Sequence, residues 1–332
     1  MLNPNLKLNP DVFNPDVQQL PIRAGFGDGL LIAGQADDRV VALCADLTDS
    51  TKMNLFRDAF PHRFIQVGVA EQNLASVASG LAAVGKIPFI SSYAMFSPGR
   101  NWEQIRTTIC YNDVPVKIAG SHAGISVGPD GGTHQALEDI AITRVLPNMV
   151  VISPCDAIEA RKATIAMAQT KYPTYIRLAR EKTPIITTDE TPFEIGKGQI
   201  LFASISESQK PVAIIATGGL VHNALIAGKK LDEAGVPVVV VNMATIKPLD
   251  TDLISKLVPQ VLGFVTVEEH QIVGGLGSAV SEYLASTTPM PIEFIGVHDR
   301  FGQSGTPSEL IEYYGMGVGS MVSAVERIPG RV

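Results

Sequence analysis

Short runs of β-branched residues alternate along the chain with longer stretches of small and apolar residues, and this alternation restricts the possible folds most strongly. Such runs are typical of strands, and the stretches between them are typical of helices. Because parallel strands need helical crossovers, the sequence predicts an α/β fold with mainly parallel sheets. In the first part we predict strands at residues 40–45, 64–69, 88–92, 116–120, 149–153 and 174–178, and helices at 71–84, 101–110 and 157–169.

A segment rich in Thr and Pro, residues 183–199, interrupts this alternation and is typical of a linker. Val-rich runs then resume at 212–218, 236–246, 263–269 and 292–297, and they resemble strands buried on both faces. The length of 332 residues is sufficient for two domains. We therefore predict two doubly wound domains, at 21–182 and 200–332. Spaced Pro and Asn residues predict an extended arm at 1–20.

Composition excludes several classes of protein. The sequence has no apolar run long enough to cross a membrane and no secretory signal pattern at its start. The net charge of -7 argues against a nucleic-acid partner. Cys44, Cys110 and Cys155 have no metal-binding or redox spacing, which suits a reducing compartment. We expect a cytoplasmic protein without a membrane or nucleic-acid partner.

Glu71 stands at the head of a run made of small and apolar residues, GVAEQNLASVASGLAAVG at 68–85. An acid in the first turn of a helix is common, because the helix dipole favours it. However, FIQVGVAE at 64–71 resembles a buried strand that leads into this helix, and parallel sheets bind ligands beyond the carboxyl ends of their strands. Glu71 is therefore either a helix-start acid or a carboxylate that faces a ligand. The small residues would let another helix or subunit approach closely.

A glycine-rich loop at 121–140, SHAGISVGPDGGTHQALEDI, carries His122, Asp130 and His134. Such loops often carry function, although an exposed turn explains the composition equally well. The spacing of the histidines fits no familiar zinc pattern. Candidate anion binders lie elsewhere in the chain, since an arginine fork can donate two hydrogen bonds to one phosphate. These candidates are Arg23, Ser50, Arg177 and Arg180, each of which alone is more typical of a surface position.

Together these segments resemble the C-terminal half of transketolase. GVAEQNLASVASGLAAVG resembles that family's GVREH-type motif, SHAGISVGPDGGTHQ its HDSIGxGEDGPTHQ motif, and CADLTDS its SADLxxS motif. The motifs occur in the family's order between about residues 23 and 180, and the remainder resembles the C-terminal domain more loosely. A one-chain transketolase is about twice this length, so the resemblance implies the second chain of a split enzyme.

The resemblance implies a role for each matched residue in a thiamine diphosphate enzyme that transfers a two-carbon ketol unit between sugar phosphates. Glu71 would exchange a proton with the aminopyrimidine, in apolar surroundings that favour a protonated carboxylate. His134 would act near the reacting carbonyl. The implied cofactor-binding residues are Asp46, Glu71, Tyr93 and Phe96. The implied substrate-binding residues are Arg23, Ser50, His122, Asp130 and Arg180.

The family binds Mg²⁺ or Ca²⁺ with the cofactor diphosphate through a GDG…N site in its N-terminal half. Residues 27–29 read GDG and Asn54 follows, but the spacing of Ile22, Phe26 and Leu30 is helical. We therefore expect no metal site in this chain. The resemblance implies an N-terminal partner subunit that holds the metal, in an α2β2 heterotetramer. A second glycine-rich segment, VGGLGSAV at 273–280, predicts a closely packed helix start rather than an anion site.

Other readings remain open. Within the same superfamily, the chain could belong to a 1-deoxyxylulose-5-phosphate synthase or be the β subunit of a 2-oxo acid dehydrogenase. Ala123, Pro129 and Gly132 depart from the transketolase loop pattern, which bears on loop shape and sugar preference. An unusual sulfonated or branched sugar is thus a further alternative. A binding or scaffold protein that keeps only the fold is the non-enzymatic one.

Overall fold

The structure is a computed structural model that describes residues 1–205 and 209–331, so that residues 206–208 and 332 of the predicted second domain lie outside it. The strands are β1 (Gln19–Pro21), β2 (Val40–Cys44), β3 (Phe64–Gln66), β4 (Ile87–Tyr93), β5 (Lys117–Ser121), β6 (Val150–Ile152), β7 (Thr174–Arg177), β8 (Lys182–Pro184), β9 (Gln199–Ala203), β10 (Val212–Ala216), β11 (Val238–Asn242), β12 (Thr245–Lys247), β13 (Phe264–Gln271) and β14 (Ile292–Val297).

The strands are connected mainly by helices. The α-helices are α1 (Ile22–Ala36), α2 (Asn54–Ala59), α3 (Glu71–Ala83), α4 (Trp102–Gln104), α5 (Asp139–Arg144), α6 (Ala157–Gln169), α7 (Val221–Glu233), α8 (Thr251–Leu257), α9 (Leu276–Thr287), α10 (Pro307–Tyr313) and α11 (Val318–Arg327). A π-helix, Ile105–Cys110, continues α4 directly. None of the described helices is long and apolar enough to cross a membrane.

The first sheet has seven strands in the order β12-β6-β7-β5-β4-β2-β3, and all of its pairings are parallel except that of β12 with β6. Its central strands are buried on both faces. Helices α1 and α6 cover one face, while α3 and the π-helix cover the other. Close contact of α1 with α6 explains Gly29 of GDG, because a Cβ there would lie 2.7 Å from the carbonyl oxygen of Arg161. Gly27 lies instead against Lys52, whose carbonyl oxygen would be 2.6 Å from a Cβ. The predicted helix through residues 27–29 is therefore confirmed.

The second sheet has five strands in the order β14-β13-β10-β11-β9, and only β9 runs antiparallel to its neighbour. Helices α7 and α11 pack on one face, and α8 and α9 on the other. Both sheets thus confirm the predicted doubly wound α/β architecture. At the start of α9, the backbone N–H groups of Leu276 and Gly277 donate to the carboxylate of Glu268, so this helix start is closed internally, as predicted.

The structure corrects several predictions. Residues 64–69 are not a buried strand, because β3 is a short, partly exposed strand at the sheet edge. The run 236–246 forms two strands, and the second, β12, joins the first sheet. The predicted helix 101–110 is mainly π-helical.

The N-terminal arm follows the β9 edge, where the Asn3 N–H donates to the carbonyl of Leu201 at 2.9 Å.

Candidate functional site

The predicted site residues come from different parts of the chain but lie at one edge of the first sheet. Tyr93 ends β4, His122 follows β5, and Arg180 comes three residues after β7. Because these strands are parallel, their carboxyl ends meet at the same edge, where ligands of open sheets bind. The structure thus brings aromatic, imidazole and guanidinium groups together there.

Glu71 is the first residue of α3, and its side chain is only 2% exposed. The Arg100 guanidinium donates to its Oε2 at 2.8 Å, and the amide of Asn101 donates to its backbone carbonyl at 2.9 Å. Arg100 is itself 51% exposed and covers the Phe96 ring, with its Cζ 4.8 Å from the ring centroid. The sequence predicts purely apolar surroundings for Glu71, and this prediction is wrong, because an ion pair with Arg100 holds the carboxylate.

The small residues behind Glu71 pack within the chain. Ala75, Ala78 and Ala82 are buried in the core under α3. The Ser79 hydroxyl donates to the carbonyl of Thr108 in the π-helix at 2.6 Å. The buried small residues thus let another helix of the same chain approach closely.

His122 stacks on Tyr93, with the ring centroids 3.8 Å apart. Its Nε2 lies 3.3 Å from an Arg23 nitrogen that can only donate, so Nε2 is the acceptor and Nδ1 carries the hydrogen that faces the Ser121 hydroxyl at 2.9 Å. Burial, aided by the charges of Arg23 and Arg180, lowers the pKa of His122 to about 3. The ring is neutral at physiological pH, and both of its nitrogens already have protein partners.

His134 occupies a more open position than His122. Its ring meets the edge of Phe96, with the centroids 5.5 Å apart, and that of Tyr93 at 6.3 Å. Its Nδ1 lies 2.9 Å from the Thr133 hydroxyl. No hydrogen bond of Nε2 occurs within residues 1–205 and 209–331, so this nitrogen is available to a ligand at the sheet edge.

Two guanidinium groups flank His122. Arg23 donates to the backbone carbonyl of Ser50 at 2.5 Å, and burial lowers the pKa of this guanidinium. Its buried Nε has no hydrogen-bond partner among the described residues. Arg180 donates to the carbonyl of Val127 at 2.8 Å and lies 3.5 Å from the Asp130 carboxylate. This pair of cations, one of them with an unsatisfied buried donor, is suited to an anionic group.

Arg177 lies inside the protein and not among these groups. It is 6% exposed, and its Nε donates to the buried carboxylate of Asp139 at 2.9 Å. The Tyr175 hydroxyl donates to the same carboxylate at 2.6 Å. Arg177 is therefore a structural ion-pair residue in the described chain, and it does not face the sheet edge where a substrate would bind.

Asp46 lies apart from the imidazole cluster, on the loop after β2, and it is exposed. Its φ of 61° is left-handed, and its N–H donates to the Gln66 side chain at 2.8 Å. Val69, on the neighbouring loop before Glu71, is 72% exposed. The edge that carries Asp46 and Glu71 is thus open on one side, and it offers an apolar contact there.

The described residues hold no cluster of three or more His, Cys, Asp or Glu side chains that could bind a metal ion. Sequence reasoning missed Arg100, which is the direct partner of Glu71. A signal existed, since Arg100 follows the aromatic pair of YAMFSPGR just beyond a strand, at the edge to which we assigned the site. Its partner, however, lies 29 positions away in the sequence.

Comparisons with known proteins cover both sheets. The family profile described as "Transketolase, pyrimidine binding domain" matches residues 18–185, and "Transketolase, C-terminal domain" matches residues 202–321. A protein of Methanocaldococcus jannaschii, named for the C-terminal section of transketolase, is 46% identical over 89% of this chain and 92% of its own length.

Two further relatives are similar over nearly the whole chain. A 6-deoxy-6-sulfo-D-fructose transketolase subunit of Clostridium sp. is 36% identical over 96% of this chain and 98% of that protein. A solved structure described as a split-gene transketolase, in the form of an inactive β4 tetramer, has 43% identity and a TM-score of 0.85. That alignment covers 93% of this chain and 98% of the solved chain.

Proposed function

This chain belongs to the transketolase family as a transferase subunit, and we propose on that premise that it is the C-terminal subunit of a two-chain transketolase. In the proposed enzyme, a two-carbon ketol unit passes from a ketose donor to an aldose acceptor. A separate N-terminal subunit completes the active site. The observation that carries this proposal is the position of Glu71, a buried carboxylate at the open edge of a parallel sheet, whose partner Arg100 lies over the Phe96 ring.

These residues fit the pyrimidine half of thiamine diphosphate. A carboxylate oxygen can hydrogen-bond to a heteroaromatic ring and an aromatic side chain can contact it, and Glu71 offers the first while the stacked Tyr93 and Phe96 offer the second. When bound, the cofactor supplies the electron sink for the transfer. Glu71 would hold and release a proton at a carboxylate oxygen. Arg100 donates to one of the two carboxylate oxygens, Oε2, and would orient the carboxylate for this role.

The remaining predicted residues have distinct proposed roles around the substrate. Nε2 of His134 would contact the reacting carbonyl, and Asp130 a sugar hydroxyl. Arg23 and Arg180 would bind the anionic end group. Because both nitrogens of His122 are engaged, its proposed role is to orient Arg23 rather than to bind the anion itself. Asp46 would approach the cofactor from the loop after β2. Ser50 would orient Arg23 through its carbonyl.

The end group of the sugar is either phosphate or sulfonate. A guanidinium fork recognises an oxyanion by charge and by paired N–H groups, and both groups present such oxygens. The similarity to a sulfo-sugar transketolase subunit keeps a sulfonated substrate among the candidates. Pentose phosphates and a branched sugar are the other candidate substrates. Synthesis of deoxyxylulose phosphate is the alternative reaction. The two arginines support a sugar with an anionic end over a 2-oxo acid, which has no such distal group.

The diphosphate and its Mg²⁺ or Ca²⁺ would be held by the partner subunit in an α2β2 assembly. Support comes from the open site edge, where Val69 is exposed, and from the solved relative that is described as split-gene and inactive in its β4 form. The three cysteines are buried and free, which supports a location in the reducing cytoplasm.

A reconstitution experiment tests this function. The chain is mixed with an N-terminal subunit that carries a GDG…N site, with thiamine diphosphate and Mg²⁺, and phosphorylated and sulfonated ketoses are screened as donors. We expect transfer only from the mixture. Full ketol transfer by the isolated chain would refute the two-chain proposal.

A variant comparison in the mixture tests the role of Glu71. We expect Glu71→Ala to lower transfer at least about 100-fold, the usual contribution of a positioned acid–base group, while the assembly still forms. Glu103→Ala, which removes an exposed glutamate of the nearby α4, is the matched control. Transfer by Glu71→Ala close to that of this control would show that Glu71 has no such role.

A further inference from the structure

The loop of residues 122–136, here called the His loop, is held from the second domain. Glu269 lies in β13 and is 5% exposed, and its Oε1 accepts a hydrogen bond from the Ser126 backbone N–H at 2.6 Å. Gly124 has a φ of 91°, and a Cβ there would overlap the Glu269 carboxylate. A glycine is therefore required for the loop to close on this side chain.

Other contacts hold the same loop against the second domain. The Gln135 amide donates to the carbonyl of Gln303 at 2.9 Å as well as to that of Ile125 at 3.0 Å. A Cβ on Gly132 would lie 2.7 Å from the carbonyl oxygen of Gly302. Residues 302–303 thus contact the C-terminal part of the His loop, while Glu269 contacts its N-terminal part.

The contact of Glu269 leads directly to the anion-binding candidates. Ser126 is followed by Val127, whose carbonyl accepts from Arg180 at 2.8 Å. Ser126 and Val127 are neighbours in the short 3-10 helix Ile125–Asp130, so a shift of the Ser126 N–H displaces the turn that carries the Val127 carbonyl. The orientation of the Arg180 guanidinium therefore depends on an acceptor that the second domain supplies.

We propose that Glu269 is a positioning residue for the substrate site, and that it gives the second domain its part in the reaction. By fixing Ser126, it sets the Val127 carbonyl and with it Arg180, without touching substrate or cofactor. This inference rests on the proposed function for its consequence, the binding of an anionic sugar. The position of the loop itself can be measured without any activity.

Two substitutions separate positioning from general stability. Glu269→Ala removes the acceptor and leaves the Ser126 N–H buried without a partner. Glu269→Gln keeps an oxygen in place, and because burial raises the pKa of Glu269, the neutral amide is a conservative replacement there. Glu326→Ala, an exposed glutamate in α11, is the matched control.

In the reconstituted enzyme we expect Glu269→Ala to raise KM for the anionic donor sugar about tenfold or more. Its affinity for thiamine diphosphate should stay within about twofold of wild type, and Glu269→Gln should restore KM. A purely structural role would lower the fraction of active enzyme, and hence the apparent kcat, with KM unchanged. That result, or a glutamine variant as impaired as the alanine variant, would overturn the proposal.

Hydrogen exchange of the isolated chain tests the same inference independently of the enzymatic function. Peptides that cover residues 121–137 should exchange faster in Glu269→Ala than in wild type, Glu269→Gln or Glu326→Ala. Unchanged exchange would refute the positioning role even if the enzyme is a transketolase. If instead exchange responds but no ketose is turned over by the wild-type mixture, the proposed function fails and the positioning of the loop stands.

Discussion

The ion pair between Glu71 and Arg100 allows a sharp test, because its two partners differ strongly in exposure. The carboxylate is 2% exposed and the guanidinium 51%. We consider Arg100→Met, which keeps the length of the side chain and removes its charge. The variant leaves the buried carboxylate of Glu71 without its cation.

The expected cost lies between two known limits. Exposed ion pairs contribute about 0.2–1 kcal/mol, whereas removal of one partner from a fully buried pair costs about 3–5 kcal/mol. Since solvent screens only the Arg100 side, we expect a loss of about 1.5–3 kcal/mol, the range for hydrogen bonds to charged groups. For a chain of 332 residues, that corresponds to an unfolding midpoint lower by roughly 2–4 °C.

The assay is a double-mutant cycle on the isolated chain with Arg100→Met, Glu71→Gln and both together. Trp102, the single tryptophan, lies beside the pair and donates to the carbonyl of Ile142 at 2.6 Å, so its fluorescence reports unfolding of this region. The double variant should be less destabilised than the sum of the single ones by at least about 1 kcal/mol. Additivity within about 0.5 kcal/mol would show that the ion pair does not hold Glu71.

Three further predictions concern other parts of the chain. Arg177→Met should lower the free energy of unfolding by about 3–5 kcal/mol in urea titrations, because it strips the buried Asp139 of its cation. His122 has a pKa of about 3 against an ordinary value of 6.5, so the unfolded chain binds a proton there before the folded one does. Stability should therefore fall as the pH drops from 6.5 towards 3, and His122→Asn should flatten this slope of the melting temperature. Gly25→Ala should cost about 3 kcal/mol in the same titrations, since its Cβ would overlap the Ala157 carbonyl and separate α1 from α6.

The fold was largely predictable where local pattern and burial agree. Helix α6 begins and ends at the predicted residues, and so does β14. Each is bounded by turn residues, and each has the spacing of apolar residues that is typical of its own type of secondary structure. The strand predicted at 64–69 was wrong and the one predicted at 236–246 was incomplete, for a different reason. Apolar composition cannot distinguish an edge strand from a central one, or show that a run bends into another sheet.

The site was predictable in its residues more than in its contacts. Strand ends place His122 and Arg180 at one edge, since parallel strands share their carboxyl side. Three features of the site depend on contacts between residues that are distant in sequence. These are the ion pair of Glu71 with Arg100, the burial of His122 beside Arg23, and the hydrogen bond of Glu269 with the His loop. Such contacts depend on how the helices and domains pack against each other, and a local sequence pattern does not predict them.

Strand β12 has a consequence for attempts to divide this chain. It follows β11 of the second sheet, yet it completes the first sheet by pairing with β6. A fragment that stops at residue 199 would leave β6 as a bare edge, a template for self-association. The same fragment, mixed with residues 200–332, should accept β12 back as an added strand. The two halves would then behave as complementing pieces of one folding unit, and neither as an independent module.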